Sequence, residues 1–471
     1  MEKTYKKCIF ILLDGSRPDV IGRLLDEGRM PNFFKCFVSK GTFTRATTVF
    51  PSTTGPAYLP FLTGFYPGTC NVPGIRWFDR ERFSNRKVVD LHAYRSYVGI
   101  ESYFFNRDIS KNVQTLFEKF PGSSNIFNPV SRGVSFFKNH GNWIKALYAL
   151  YAHYTDDWET VDQKLVQLAQ KSLHQKSDFL FLALPAVDEL SHHTHPFSEK
   201  VIDAYIHFDQ ALGKILETLE KQKILDDTLF VCAGDHGLSA THTHFDLVGF
   251  IQSLGYETFY YPKIFKRKFD VAVMQSGNAM AHIYVQNGKG WRERSSVEGL
   301  EKLVDQLSKR KEIAWVAGVD KNQKIYIRNH EGEAWIHCEG EKILYQTKGK
   351  DPFLFEKLPN QLTSQESLDK TFFQAHPDAL VQLLQIFKSP RAGDLIVSGN
   401  PGFDLRLAHE WPEHKASHGS LHIDHMHVPL AISHPIELHR KIRSVDVFPT
   451  ILKLMGIDIE NVNCEGLSLV A

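Results

Sequence analysis

Three apolar runs in this chain stop abruptly at acidic residues. Cys8–Leu13 (CIFILL) ends at Asp14-Gly15, and Asp178–Leu184 (DFLFLAL) leads through Pro185 to Asp188 and His192. The third, within Thr228–Gly237 (TLFVCAGDHG), ends at Asp235 and His236. Near-continuous apolar runs of this length are the pattern of strands buried on both faces of a parallel sheet. In open α/β sheets the chemistry gathers just past the carboxyl ends of such strands. Each aspartate alone reads as a turn residue or a helix cap. Three at strand ends, two of them with a nearby histidine, predict one shared polar floor.

Between these runs the period becomes helical. Ser16 is expected to cap a helix that begins at Pro18, turns Val20, Ile21, Leu24 and Leu25 inward and stops near Gly28. Pro31-Asn32 opens a short helix over Phe33–Ser39, and Trp158–His174 predicts another. Glu199–Lys221 is the clearest, with Val201, Ile202, Tyr205, Phe208, Leu212, Ile215, Leu216 and Leu219 at helical spacing. It would complete a βαβ crossover between the Asp178 and Thr228 runs. Val428–Ser433 (VPLAIS) reads as a further buried strand and Ser444–Met455 as a closing helix. Residues Pro67–Thr155, rich in aromatics and arginine, are expected to form loops and short helices over the active face. From about Glu257 to Arg406, alternating runs such as His282–Val285 and Lys324–Ile327 appear between Gly/Asn turns. The expected organisation is an α/β core of residues 1–256 and 407–471, a mostly parallel sheet flanked by helices. An inserted α+β cap of residues 257–406 interrupts it.

Composition narrows the function classes. A net charge of +1 over 471 residues offers no global attraction to nucleic acid or an anionic membrane. No window approaches a membrane span, and the first apolar run is too short for a signal peptide, so a cytoplasmic location is expected. The six cysteines form no C-x-x-C pair, and Cys8 and Cys232 lie inside expected core strands, so they read as small core residues. Histidine is abundant, at 23, which is compatible with metal chemistry.

Taken in chain order, Asp14-Gly15, Phe50–Thr54 (FPSTT), Gly64–Pro67 (GFYP), Asp188-x-x-x-His192, Gly234–Gly237 (GDHG), His418-Gly419 and Val445–Leu454 (VDVFPTILKL) form an ordered set. This set resembles the alkaline phosphatase superfamily, and within it the type I phosphodiesterase / nucleotide pyrophosphatase family. The resemblance covers about residues 1–250 and 410–471. It implies two zinc ions per chain, one held by Asp14, Thr54, Asp235 and His236, the other by Asp188, His192 and His418. Histidine nitrogen and carboxylate oxygen are ordinary zinc donors. Two metals about 4 Å apart can clamp the attacking and leaving oxygens of an in-line phosphoryl displacement.

Ser52, Thr53 and Thr54 compete for the nucleophile, and the family pattern places the role on Thr54, through a phosphothreonine intermediate. A threonine before Gly-Pro is also a common helix N-cap. The family has an asparagine three residues after the nucleophile; here that position is Ala57, followed by Tyr58. A backbone N–H at Thr54 or Gly55, or Tyr58 or Arg76, are the candidate replacements. The third ligand of the Asp188 and His192 site has four candidates, His418, His422, His425 and His427. His418, followed by Gly419, matches the family element. His242, His244 and Asp246 are read as partners that orient ligands or as polar loop residues. Tyr66, Trp77, Tyr103, Phe104 and Phe105 could form a stacking slot for a base. The implied activity is hydrolysis of a small-molecule phosphate diester or pyrophosphate, with no polymeric nucleic acid as partner. Monoester or phosphonate hydrolysis, and a non-catalytic metal-binding protein, are the alternatives. FPSTTGP lacks the sulfatase formylglycine context, and no phosphomutase Ser motif is present.

Overall fold

In the computed structural model of the chain, residues 3–85, 93–98, 100–140, 148, 151–152, 154–174, 177–264, 266, 268–408 and 413–470 are described. Parts of the segment read as loops over the active face, residues 86–92, 99, 141–147, 149–150 and 153, therefore lie outside the described residues. Among the described residues all six cysteines are unbridged, and no helix is long and apolar enough to cross a membrane.

The central sheet is built from the apolar runs. Its strands are β1 (Lys7–Leu13), β2 (Thr42–Thr47), β3 (Ser124–Ile126), β4 (Phe179–Leu184), β5 (Thr228–Ala233) and β6 (His427–Ile432). They lie in the order β2-β6-β5-β1-β4-β3. β1, β3, β4 and β5 run parallel, while β6 is antiparallel to both β5 and β2. β1, β4 and β5 are almost completely buried, as two-sided burial of a parallel sheet requires. Phe10 of β1 stacks on Phe181 of β4 with ring centroids 4.8 Å apart. The register then decides where the chemistry falls. Leu13 is level with Leu184, and Leu12 with Ala233, so the ends of β1, β4 and β5 share one edge.

The helices follow their apolar periods. α1 (Pro18–Asp26) begins with Pro18 in its first turn, but its cap is Arg17, not Ser16. Arg17 is fixed in extended backbone, its N–H donating to Tyr205 Oη and its guanidinium bonding Asp19 and Asp424. Ser16 is instead packed against Gly234, where an added Cβ would lie 2.5 Å from its hydroxyl. α2 (Trp158–Leu173) and α4 (Glu199–Lys221) pack together and carry capping acceptors at Asp157 and Ser198. All eight apolar residues picked out on Glu199–Lys221 are buried. This helix connects β4 to β5, which are not neighbours, because β1 lies between them. The short α3 (Ala186–His193) follows β4 directly, and α5 (Val447–Leu454) covers the core after a single 3₁₀ turn, Ser444–Asp446.

A second sheet of nine strands is formed between Thr258 and Gly399. Its pairings are antiparallel except where Val271–Ser276 meets Thr258–Phe259. Two of the contacts that tie this region to the core bear on the candidate site. The helix Ala379–Ile386 grips Phe50, whose N–H donates to Gln382 Oε1 at 2.9 Å and whose carbonyl accepts from Gln385 Nε2 at 2.8 Å. The hairpin Val271–Val285 places its turn, Ser276–Ala279, against His418.

Candidate metal centre

Asp14, Asp188, Asp235 and His236 arrive together because the register aligns the strand ends. Asp14 N–H donates to Leu184 O at 3.1 Å, carrying β1 one residue past its last pair. Gly15 follows with φ +68, and an added Cβ there would stand 2.7 Å from Asp188 Oδ1. A side chain at this position is excluded both by the left-handed backbone and by the closeness of the second carboxylate. Gly15 N–H donates to Asp235 Oδ1 at 3.2 Å. Asp188 and His192 stand one turn apart on α3, on one face, with Oδ2 and Nε2 3.6 Å apart.

Two groups of electron-pair donors result. One donor atom each from Asp188, His192 and His418 lies within 4.8 Å of the others, and the same holds for Asp14, Asp188 and His236. Asp188 belongs to both. Asp235 adjoins the second group through His236, with Oδ2 3.3 Å from Nε2. The rings of His236 and His418 stack at 3.8 Å, so the two groups are contiguous.

The donor set fits a metal ion. Nδ1 of His192 hydrogen-bonds to Ala416 O at 2.8 Å, Nδ1 of His418 to Ser52 O at 3.0 Å, and Nδ1 of His236 to Gly237 O at 3.2 Å. A neutral imidazole donating from Nδ1 keeps its lone pair on Nε2, the usual arrangement of a metal-ligating histidine. Burial favours that neutral form, lowering His236 and His418 and bringing His192 down to about 4. Asp188 Oδ1 and Asp235 Oδ2 are buried without a hydrogen-bond donor among the described residues. Among the described residues no lysine or arginine pairs with Asp14, Asp188 or Asp235. Burial raises all three carboxyls, Asp235 to about 7, and the Asp235 carboxylate pushes Asp14 further up. Buried carboxylates facing unprotonated nitrogens are costly unless a cation joins them.

Thr54 sits at the edge of this cluster. Its hydroxyl is 3.3 Å from Asp14 Oδ1 and 3.2 Å from His236 Nε2. Thr54 is not a helix cap: that position falls to Gly55, at φ +91, ahead of the 3₁₀ turn Pro56–Tyr58. Thr53 buries its hydroxyl with no partner among the described residues, and Ser52 donates to Ser420 O. No acceptor is found for the N–H of Thr54 or Gly55 among the described residues. Tyr58 donates its hydroxyl to Asp14 Oδ2 at 2.5 Å. Arg76 is turned away, bonding Ser96 Oγ and Gln275 O.

His418 is held from the second sheet. Its N–H donates to Gly277 O at 3.1 Å, its carbonyl accepts from Ala279 N–H at 2.9 Å, and Ser417 Oγ donates to Gly277 O. Gly277, at φ +64, leaves no room for a Cβ, which would lie 2.6 Å from His418 Nδ1. The competing histidines are engaged elsewhere. His425 bonds Ser239 Oγ and Ser420 Oγ, His427 bonds Phe372 O, and His422 accepts from Asp424 N–H. Asp246 caps the helix Leu247–Ser253, and His244 bonds the Arg406 and His414 carbonyls. His242 is exposed. His414, which the sequence reading passed over, lies against His192 with ring centroids 4.3 Å apart and takes a contact from Asn278 Nδ2 at 3.3 Å. It falls in a polar run without apolar periodicity, so no pattern marks it. Trp77 and Phe105 are fully buried and Tyr66 nearly so, so these three offer no open stacking face.

The family model described as type I phosphodiesterase / nucleotide pyrophosphatase matches residues 8–421. A segment of 76 residues is 32% identical to GPI ethanolamine phosphate transferase 1 of Candida glabrata. That segment is 16% of this chain and 8% of the yeast protein.

Proposed function

We propose, from the premise that the chain belongs to the type I phosphodiesterase / nucleotide pyrophosphatase family of the alkaline phosphatase superfamily, that it hydrolyses small-molecule phosphodiesters or pyrophosphates through Thr54. The observation that carries this reading is the Thr54 hydroxyl, within 3.3 Å of both Asp14 Oδ1 and His236 Nε2, at the mouth of two buried ligand groups. Zinc is the proposed metal, two ions per chain, with Asp14, Thr54, Asp235 and His236 as one ligand set and Asp188, His192 and His418 as the other. Such ions supply Lewis-acid stabilisation of phosphoryl charge and lower the pKa of a bound hydroxyl.

The chain's own groups do the rest. Asp14 Oδ1, at 3.3 Å, and His236 Nε2, at 3.2 Å, are the acceptors in reach of the Thr54 hydroxyl proton. Attack of Oγ1 on phosphorus forms the Thr54–phosphate bond and releases the leaving alcohol or phosphate. Water then attacks the phosphothreonine and frees Thr54. Ala57 lacks the amide that the family pattern supplies, and the N–H groups of Thr54 and Gly55, without an acceptor among the described residues, support a backbone replacement for it. The insertion, whose helix Ala379–Ile386 grips Phe50 and whose Gly277 turn holds His418, is proposed to shape the substrate pocket. The cytoplasmic location expected from the sequence belongs to this proposal as well.

The test is a screen of zinc-loaded protein against an aryl phosphodiester, a nucleoside pyrophosphate, an aryl monoester and a phosphonate. Diester or pyrophosphate cleavage that is lost on chelation and restored by Zn²⁺ supports the reading. Turnover of the monoester or phosphonate alone replaces it with one of the alternatives. Because the matched protein is named an ethanolamine phosphate transferase, the screen includes a diester of ethanolamine phosphate as donor, with an alcohol as acceptor competing with water.

A further inference from the structure

Tyr58 has no role in the scheme above, yet among the described residues its hydroxyl, like that of Thr54, donates directly to a carboxylate of the candidate site. It is 2% exposed and ends the 3₁₀ turn that follows Thr54. Its ring packs near Phe181 of β4, at 6.2 Å, so the phenol is anchored to the sheet rather than to a loop. The hydroxyl reaches Asp14 Oδ2 at 2.5 Å, while Asp14 Oδ1 faces Thr54 Oγ1 at 3.3 Å and His236 Nε2 at 3.5 Å. The two oxygens of one carboxylate are thus divided between two tasks.

We propose that Tyr58 is a positioning residue that makes Asp14 a one-oxygen ligand. The proposal rests on the metal reading given above. The terminal torsion of an aspartate is broad and two-fold, so a carboxylate with two free oxygens can rotate or turn both toward a cation. A charge-assisted hydrogen bond on Oδ2 removes that freedom and fixes Oδ1 on the side of the nucleophile. Partners that orient a ligating group in this way commonly account for 10- to 100-fold (roughly) in metal affinity when removed. Ala57, without a side-chain donor, leaves the phosphoryl oxygen to other groups, and the committed hydroxyl of Tyr58 is not free to serve it.

The test compares wild type with Tyr58→Phe, which removes one hydroxyl and keeps the ring. Zinc affinity is measured by competition with a chromophoric chelator, and the visible spectrum is recorded with Co²⁺ in place of zinc. Tyr58→Phe should bind one of two zinc ions about 10- to 100-fold more weakly. Its cobalt bands should weaken, as Asp14 turns its second oxygen to the ion and raises the coordination number. Turnover of an aryl diester should fall in kcat more than it changes in KM. If Tyr58→Phe loses its far-UV spectrum, 3-fluorotyrosine at position 58 keeps the ring and alters only the donor. An unaltered cobalt spectrum in the folded variant overturns the proposal while leaving the two-zinc reading intact. Wild type that takes up no metal overturns the reading and this inference together.

Discussion

Metal-stripped protein should be penalised for ionising Asp235, and replacing that residue by asparagine should remove the penalty. The carboxyl is fully buried, and its pKa is raised to about 7, first of all by desolvation. In the unfolded chain the value is about 3.9. A carboxyl raised on folding contributes stability that is fully present below the unfolded value and lost as pH rises through the folded one. With those two values, linkage gives a loss of about 2–3 kcal/mol between pH 5 and pH 8 from this group alone. The buried histidines titrate in the opposite sense, since their lowered values favour folding as pH rises, but they are common to both proteins and cancel in the difference. Asp14, raised in part by the Asp235 carboxylate, moves the difference in the same direction. Urea unfolding of wild type and Asp235→Asn, both in excess chelator, should therefore show wild type losing ground to the variant as pH rises from 5 to 8. With zinc restored the order should invert, because the carboxylate then has a partner and the amide does not replace it. A pH-independent difference in chelator would refute the account of a buried, metal-dependent carboxylate cluster.

Three further outcomes follow from the geometry. Thr54→Ala should abolish turnover of an aryl diester while retaining most zinc by elemental analysis, and Thr53→Ala, whose hydroxyl faces the interior, should have a mild effect. His418→Ala should reduce zinc from about two ions per chain toward one, with His422→Ala and His425→Ala leaving the stoichiometry unchanged. Gly277→Ala, at φ +64 and with a Cβ 2.6 Å from His418 Nδ1, should cost about 1–2 kcal/mol in thermal unfolding and also displace zinc from the His418 site.

The sequence was most legible where burial is two-sided. β1, β4 and β5 announce themselves because a parallel strand covered on both faces has little choice but to be apolar, and the residue after each run is then conspicuous. Glu199–Lys221 was legible because its buried stripe is long. What lies beyond single-run patterns was hidden. β3 is three residues, Ser124–Ile126, too short to show any period, and the Ser16 cap fails because tertiary anchors hold Arg17 in extended backbone. The participation of Asp188 in both ligand groups depends on register and on the space left by Gly15, neither of which a spacing rule contains. The hold on His418 comes from backbone atoms of the Gly277 turn, which carry no side-chain signature. Tyr58 is one of several candidates in the sequence to replace the missing amide at position 57, but its hydroxyl is spent on Asp14.

The strand order also sets a timetable for biosynthesis. β1 emerges first yet sits between β4 and β5, so it waits for residues near 179 and 228 before it has a neighbour on either side. β2, which leads toward Thr54, pairs along its length with β6, and β6 begins at His427. His418 and the strand that pins the segment of Thr54 therefore leave the ribosome together, long after Asp14 and Thr54. A nascent chain can present Asp14 and Thr54 but cannot assemble the full ligand set. On the proposed metal reading, loading would then be a late event, coupled to closure of the sheet by β6, and a translation product truncated ahead of residue 418 would lack both the proposed ligand and the strand.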